Sequence, residues 1–441
     1  MVLESLRRWQ TGLCVKIKDF FVSSRNIERA STVWNAGASL VSSFQSVLML
    51  VLVSVFLGEV EAGIFSIATA QAYLFWTIGV YGIRRYQASD VQHRYTYHEY
   101  VMSRILTCAI MIGACLITCA VVVGTGSYSL SKAATVLLVT LLRVVDCVED
   151  VVVGFLQQSG RLDVGGKISA FRVAVSTVAF IVPVVLGASL LWSLGISFVF
   201  STLSLAIFVR LIVSGFIDSD ARQGTLKKAM GLLRTCFPLF LATFLTLYIG
   251  NAPKYGIDAV LNDEVQATFN FLSMPSFVIQ MLAMFIFNPM VYKMSTAWVG
   301  GKLSDLMRMV RRVLVWIVGI TAVCLAGGAV IGLPVLSWLY QADLSGCLWE
   351  LLVVLLGGGF VALGGFLTTV LTIMRYQRIL IFGYLASAVV ALTASWWIRW
   401  DGLMGACLLY CVLFILQCAV FVPIVAYGVH RRRLEAVDNP E

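Results

Sequence analysis

The stretch from about Ala133 to Arg161, AATVLLVTLLRVVDCVEDVVVGFLQQSGR, sets the terms for the rest of the chain. Its length and apolar content suit a membrane-spanning helix, for which about 20 residues suffice. Yet Arg143, Asp146, Glu149 and Asp150 stand near its middle. At about 100° per residue, Arg143, Asp146, Asp150, Gln157 and Arg161 fall within roughly 60° of one another; Gly154 shares their stripe and the opposite face is Val, Leu and Phe. Each charge at a bilayer centre costs about 2.5–3.5 kcal/mol, so four cost about 10, while roughly fifteen aliphatic neighbours return only about 5–8. Such a helix cannot face lipid all round. Its charged stripe lines a wet cavity, pairs with itself, or meets other helices. An Arg143–Asp146 ion pair at i,i+3 stays open as a purely structural account. The three-to-one excess of acid over base favours a polar lumen in which pairing is one component.

The rest of the composition agrees: 60% of residues are hydrophobic and 12% charged, against about 25% charged in a soluble domain. Nothing resembles a cleaved signal peptide, because the first apolar run begins only near Ala30 and spans fully. Apolar runs predict twelve spans, at 30–57, 62–83, 101–124, 132–157, 169–189, 191–215, 234–254, 267–290, 312–334, 348–373, 378–398 and 403–428. Of the 32 Lys and Arg, 28 fall on the N-terminal side of these spans, Lys132, Lys254 and Arg399 on the other, and Arg143 inside. By the positive-inside rule both termini are cytoplasmic. The net charge of +9 is mostly this bias and gives no support to a nucleic-acid partner.

The expected organisation is an amphipathic surface helix at 1–29, an N-terminal lobe of six spans at 30–215, a cytoplasmic linker at 216–233, a C-terminal lobe of six spans at 234–428, and a cytoplasmic tail at 429–441. In the first segment Leu6, Trp9, Leu13, Ile17 and Phe20 recur at helical spacing, with Arg7, Arg8, Lys16 and Lys18 mostly off that line. A weak internal repeat supports two halves. LGEVEAGIFSIA (57–68) aligns with LNDEVQATFNFLS (261–273), and an acid-then-base run precedes each third span, Glu99 to Arg104 and Asp305 to Arg312. Two parallel six-helix lobes are a transporter architecture.

Polar stripes recur on other spans. Asn35, Ser39, Ser42 and Ser46 share one face of the first, and Asn270, Ser273 and Gln280 stand on the eighth. With Gln157 and Asn251 they are candidate lumen-lining residues, though small polar residues also serve helix packing. Arg84 and Arg85 sit at a membrane edge, where they snorkel to headgroups or fork onto a phosphate. The eleven cysteines are scattered without zinc spacing, and there are three histidines, so no metal site is expected. GRLDVGGK (160–167) misses a P-loop by one residue of spacing and by Ile168 where Ser or Thr belongs. LLGGGFVALGG (355–365) reads as a helix built for close packing or bending. No HExxH, GxSxG or CxxC occurs, and the outer loops are short, which argues against an enzyme.

W-N-A-G-A-S near the start, FLGEVEAGIFSIATA, VYGIRRYQASD, LQQSGRLD after the fourth span and NAPKYGID (251–258) together resemble the polysaccharide transporters of the MOP superfamily, the Wzx-type flippases of lipid-linked oligosaccharides. The likeness is looser over the last six spans. It implies an all-α integral membrane protein with two six-helix lobes around a central polar cavity, in a bacterial cytoplasmic membrane. It further implies movement of a polyprenyl-diphosphate-linked oligosaccharide to the outer leaflet by alternating access, for O-antigen, capsule or teichoic-type polymers, beside polymerase or export machinery. On that reading Arg84, Arg85, Arg143, Lys254 and Arg161 are the candidate diphosphate and sugar ligands. Asp146, Glu149 and Asp150 are candidates for ion coupling or for orienting Arg143. No cofactor is expected beyond coupling to membrane potential, H⁺ or Na⁺. Two charges moving outward gain about 4–5 kcal/mol per 100 mV from an inside-negative potential, so an ion gradient is not required.

The rival within the superfamily is a multidrug exporter of organic cations, which the acids of the fourth span suit and Arg84, Arg143 and Lys254 do not. A polymer-processing membrane enzyme conflicts with the short outer loops. A scaffold would need no buried charge.

Overall fold

The computed structural model describes residues 18–90, 94–216, 224–287 and 290–438. Most of the expected surface helix, at 1–17, and part of the expected linker, at 217–223, lie outside the described residues. All regular structure among those residues is helical. In chain order the helices are α1 (Ile27–Leu57), α2 (Glu59–Val80), α3 (Ile83–Ser89), α4 (Tyr97–Gly124), α5 (Leu130–Gln158), α6 (Leu162–Val185), α7 (Leu190–Leu211), α8 (Leu226–Val260), α9 (Asp263–Phe287), α10 (Val291–Val299), α11 (Leu303–Gly327), α12 (Leu333–Tyr340), α13 (Leu348–Ile373), α14 (Gln377–Ala391) and α15 (Ala394–Asp438), the last broken by non-helical backbone at Asp401 and Gly402.

Each of the twelve expected spans coincides with a helix. Ten described segments are long and apolar enough to cross a bilayer. The remaining two expected spans are α5, disqualified by its own charges, and α14, whose apolar part is the shorter Ile379–Ala391. A chain with this many apolar helices is a multi-pass membrane protein.

The chain divides into two compact units, Met1–Phe244 and Leu245–Glu441, with the division falling within α8. In the first, α1 lies along α6 and α2 along α5. Both approaches need glycine. A Cβ on Gly166 of α6 would stand 2.8 Å from the Asn35 nitrogen of α1, and one on Gly79 of α2 would stand 2.5 Å from the Cys147 sulfur of α5. The WNAGAS and DVGG stretches are thus two sides of one helix contact.

In the second unit α13 is central. A Cβ on Gly357, Gly358 or Gly359 would meet Tyr410 of α15, Ser276 of α9 and Thr321 of α11 respectively, each at 2.6 Å. Of the two roles open to this glycine run, close packing is the one it performs: three consecutive residues admit three neighbouring helices.

The repeated sequence marks the same local structure in both units. Gly58 alone separates α1 from α2, and Leu261 and Asn262 separate α8 from α9, so each repeat copy opens the second helix of its unit. Glu99, first acid of the acid-then-base run, completes a capping box with Thr96 at the start of α4. Its other carboxylate oxygen accepts from the Thr225 backbone N–H at 3.2 Å, just before α8. One buried carboxylate therefore serves the positive ends of two helices.

Candidate functional site

The charged residues of α5 do not face one another across an open stripe; arginines from three other helices close on them. Arg143 pairs with Asp146 at 2.6 Å along α5. Asp146 also accepts from Arg172 of α6 at 2.7 Å, and the Arg172 Nε donates to Glu149. Ser169 and Ser201 complete the cluster, donating to Glu149 at 2.5 Å and accepting from Arg172 at 2.9 Å. One turn beyond Asp146, Asp150 accepts from Arg104 of α4 at 2.7 Å and lies 3.5 Å from Arg84 of α3. Arg104 also donates to the carbonyl of buried Gly79, near the end of α2.

The charge count now differs from the one α5 alone implies. Asp146 and Glu149 are balanced by Arg143 and Arg172, while Asp150 is shared by two arginines. The positive-inside pattern counts Arg104 and Arg172 among the charges of the cytoplasmic side; both are buried, at 2% and 5% exposure. The sequence signal was present, since both fall three residues inside their expected spans. Their role shows only when the helices pack.

A cavity of about 20 Å³, room for about one water, lies beside this cluster. Ser46, Thr69, Tyr73, Arg143, Asp146 and Arg172 are among its lining residues. The Arg143 Nε and Thr69 Oγ1 are buried here without a protein partner. The Arg143 guanidinium lies over the Tyr73 ring, 5.0 Å from its centre.

The other candidate residues separate into groups. Ser46 joins the cavity, whereas Ser39 and Ser42 are exposed and Asn35 half-buried on α1. Arg85 is exposed on α3, and Gln157 half-buried at the end of α5. Arg161 is occupied in holding the chain's beginning: it pairs with Asp163 at 3.0 Å and donates to the Val22 carbonyl at 2.5 Å. Lys167, from the failed P-loop, acts alongside it, donating to the carbonyls of Phe20, Phe21 and Ser23.

In the second unit Lys254 of α8 donates to the side-chain amide oxygen (Oδ1) of Asn270 on α9 at 2.6 Å. No carboxylate lies within ion-pair distance of it among the described residues. Asn251 and Ser273 bond backbone carbonyls of their own helices, at 3.0 Å and 2.9 Å, and Gln280 is half-buried on α9. No cluster of His, Cys, Asp and Glu fit for a metal occurs among the described residues.

Paired helical units with charge held inside define a membrane transporter fold. Similarity to solved structures points the same way. A eukaryotic MATE transporter, AtDTX14, superposes with a TM-score of 0.59 at 13% identity, over 93% of this chain and 97% of that one. A MOP superfamily transporter from Pyrococcus furiosus, described as having a binding pocket of reversed polarity, gives 0.56 at 14%, over 96% and 98%. A multidrug resistance MATE family transporter of the MOP superfamily gives 0.59 at 12%, over 96% and 98%. At these identities the likeness is one of fold. No curated protein matches the chain. The family model described as "Polysaccharide biosynthesis protein" matches residues 29–295. The chain belongs to that family, the polysaccharide transporters of the MOP superfamily.

Proposed function

We propose that this protein is a flippase. It carries a polyprenyl-diphosphate-linked oligosaccharide from the cytoplasmic to the outer leaflet of a bacterial cytoplasmic membrane, by alternating access, for assembly of a surface polysaccharide. The observation that carries the reading is Lys254: a cation within a membrane-spanning helix, held by a neutral amide rather than by a carboxylate. An uncompensated charge there is costly and marks a pathway, and its sign suits an anionic cargo. Arg84 and Arg104 support this, since two guanidinium groups share Asp150 and leave positive charge in excess. Arg84 and Arg85 would receive the diphosphate at the cytoplasmic side, and Lys254 would meet it nearer the outer side. Family membership supplies the polysaccharide.

The organic-cation reading needs an acid turned toward its cargo, and the acids of α5 are engaged by arginines. Coupling through Asp146, Glu149 or Asp150 would have to break those pairs, so the membrane potential is the simpler driving force.

Native mass spectrometry with lipid extraction, on protein purified gently from its own host, tests the reading. A co-purified polyprenyl-diphosphate oligosaccharide, depleted by Lys254→Met and by Arg143→Ala, is the expected result. Full polymer export by Lys254→Met in cells lacking the native gene would remove its substrate role, and drug resistance conferred on expression would revive the cation exporter.

A further inference from the structure

The acid-then-base run has opposite fates in the two units. In the first, Glu99 and Arg104 are buried, and Arg104 reaches Asp150 on another helix. In the second, Arg308, Arg311 and Arg312 of α11 are all exposed. Among the described residues the ion pair they make is between Arg308 and Asp305, 3.2 Å apart along the same helix. An exposed pair of that kind contributes little. The second unit therefore carries arginines that no carboxylate of a neighbouring helix balances.

Positions 308, 311, 312, 315 and 316 recur at helical spacing and share one face. Arg308, Arg311, Arg312, Val315 and Trp316 line an open groove of about 410 Å³ there, with no acid among them. Like charges three and four residues apart on a helix repel, and an anion lying among the guanidinium groups relieves that repulsion. Guanidinium groups fork onto phosphate oxygens. Farther along α11 the same face continues in apolar residues. Val315, Trp316 and Val323 are exposed, and between the last two a Cβ on Gly319 would meet nothing within 4 Å.

An occupant must bring net negative charge and hydrocarbon together, in that order along the helix. A soluble anion leaves the apolar part uncovered, and a zwitterionic lipid sets a cation of its own against three arginines. Trp316 stands just over one turn beyond Arg312, as befits a residue of the membrane interface. The arginine end of α11 is the one the positive-inside pattern makes cytoplasmic, where anionic lipids give the leaflet its negative potential. The basic run Arg431 to Arg433 of α15 comes to the same corner of the unit, with Arg432 over the Trp298 ring of α10 at 5.7 Å.

We propose that this groove binds an anionic phospholipid, its phosphate among Arg308, Arg311 and Arg312 and an acyl chain over Trp316, Gly319 and Val323. The site goes beyond the flippase reading and does not rest on it. Purified full-length protein, stripped of lipid in detergent, is titrated with phosphatidylglycerol or with phosphatidylcholine, and native mass spectrometry counts the lipid retained. One phosphatidylglycerol is expected to be held more tightly than any phosphatidylcholine, and a photoreactive phosphatidylglycerol should label residues 308–323. Arg311→Gln with Arg312→Gln should weaken the binding about thirtyfold. Arg25→Gln with Arg29→Gln removes as much charge from exposed residues of the first unit and should leave it unchanged.

Equal retention of the two lipids overturns the proposal. So does an equal loss in both double variants, which would reduce the effect to net charge, or labelling that avoids residues 308–323. Stronger retention of a polyprenyl diphosphate than of phosphatidylglycerol at this groove would make it a cargo site and overturns the proposal as well.

Discussion

Arg172 of α6 reaches Asp146 of α5 at 2.7 Å while its Nε donates to Glu149, so one guanidinium ties two carboxylates to a neighbouring helix. Arg172 is 5% exposed and Glu149 7%. Removing one partner of a buried pair costs about 3–5 kcal/mol, because the other charge is left without compensation. Arg172→Ala is therefore expected to lower the thermal midpoint in detergent sharply and to reduce yield. Pairing it with Glu149→Gln should recover part of the loss, with a coupling of about 0.5–3 kcal/mol. Additive losses in the double variant would show that the two side chains act independently.

Glu99 offers a test of how the first half of α8 is held. Its carboxylate accepts from the Thr96 backbone N–H at 3.0 Å and from the Thr225 backbone N–H at 3.2 Å. Loss of a cap costs about 0.5–2 kcal/mol, and Glu99→Ala removes one from each of two helices. Faster hydrogen exchange should appear at the starts of both α4 and α8, with Glu99→Gln intermediate. Protection lost at α4 alone would mean that the contact with Thr225 contributes nothing to holding α8.

The glycine run of α13 predicts a contrast within one helix. Gly358→Val must displace Ser276 and should cost about 1–3 kcal/mol through overpacking. A Cβ on Gly365 meets nothing within 4 Å, so Gly365→Ala should be neutral or stabilising by about 0.4–1 kcal/mol. Thermal unfolding of the two variants side by side checks this.

Spans and repeat were legible because hydrophobic length and loop chemistry are local properties. The Gly58 break and the Asn262 break open equivalent helices in the two units, as GEVEA and NDEVQA imply. The charge balance was not legible in the same way. Asp146, Glu149 and Asp150 lie on one helix and stand out together. Arg104 and Arg172 lie near the starts of two other expected spans, at 101–124 and 169–189, where position alone makes them look like edge charges. Arg161 shows the reverse case: its place on the charged stripe suggests a ligand, yet its partners are Asp163 and the Val22 carbonyl. One helix's periodicity cannot report which neighbour will cover it.

Lys254 should separate stability from function. Unlike Arg172, it leaves no carboxylate behind when removed, since its hydrogen-bond partner is the side-chain amide oxygen of Asn270 at 2.6 Å. Lys254→Met takes an uncompensated charge out of the membrane, which on insertion scales favours the variant by up to about 3 kcal/mol. Against this stands one lost acceptor interaction at Asn270, worth about 1–3 kcal/mol because Asn270 is itself buried. The two nearly cancel, so the thermal midpoint is expected to stay level or rise while polymer export falls. A residue kept at no gain in stability is retained for what it binds, as in other sites where stability and activity conflict. A large drop in thermal midpoint for Lys254→Met would instead make the lysine a structural link between α8 and α9. Its loss of export would then say nothing about cargo.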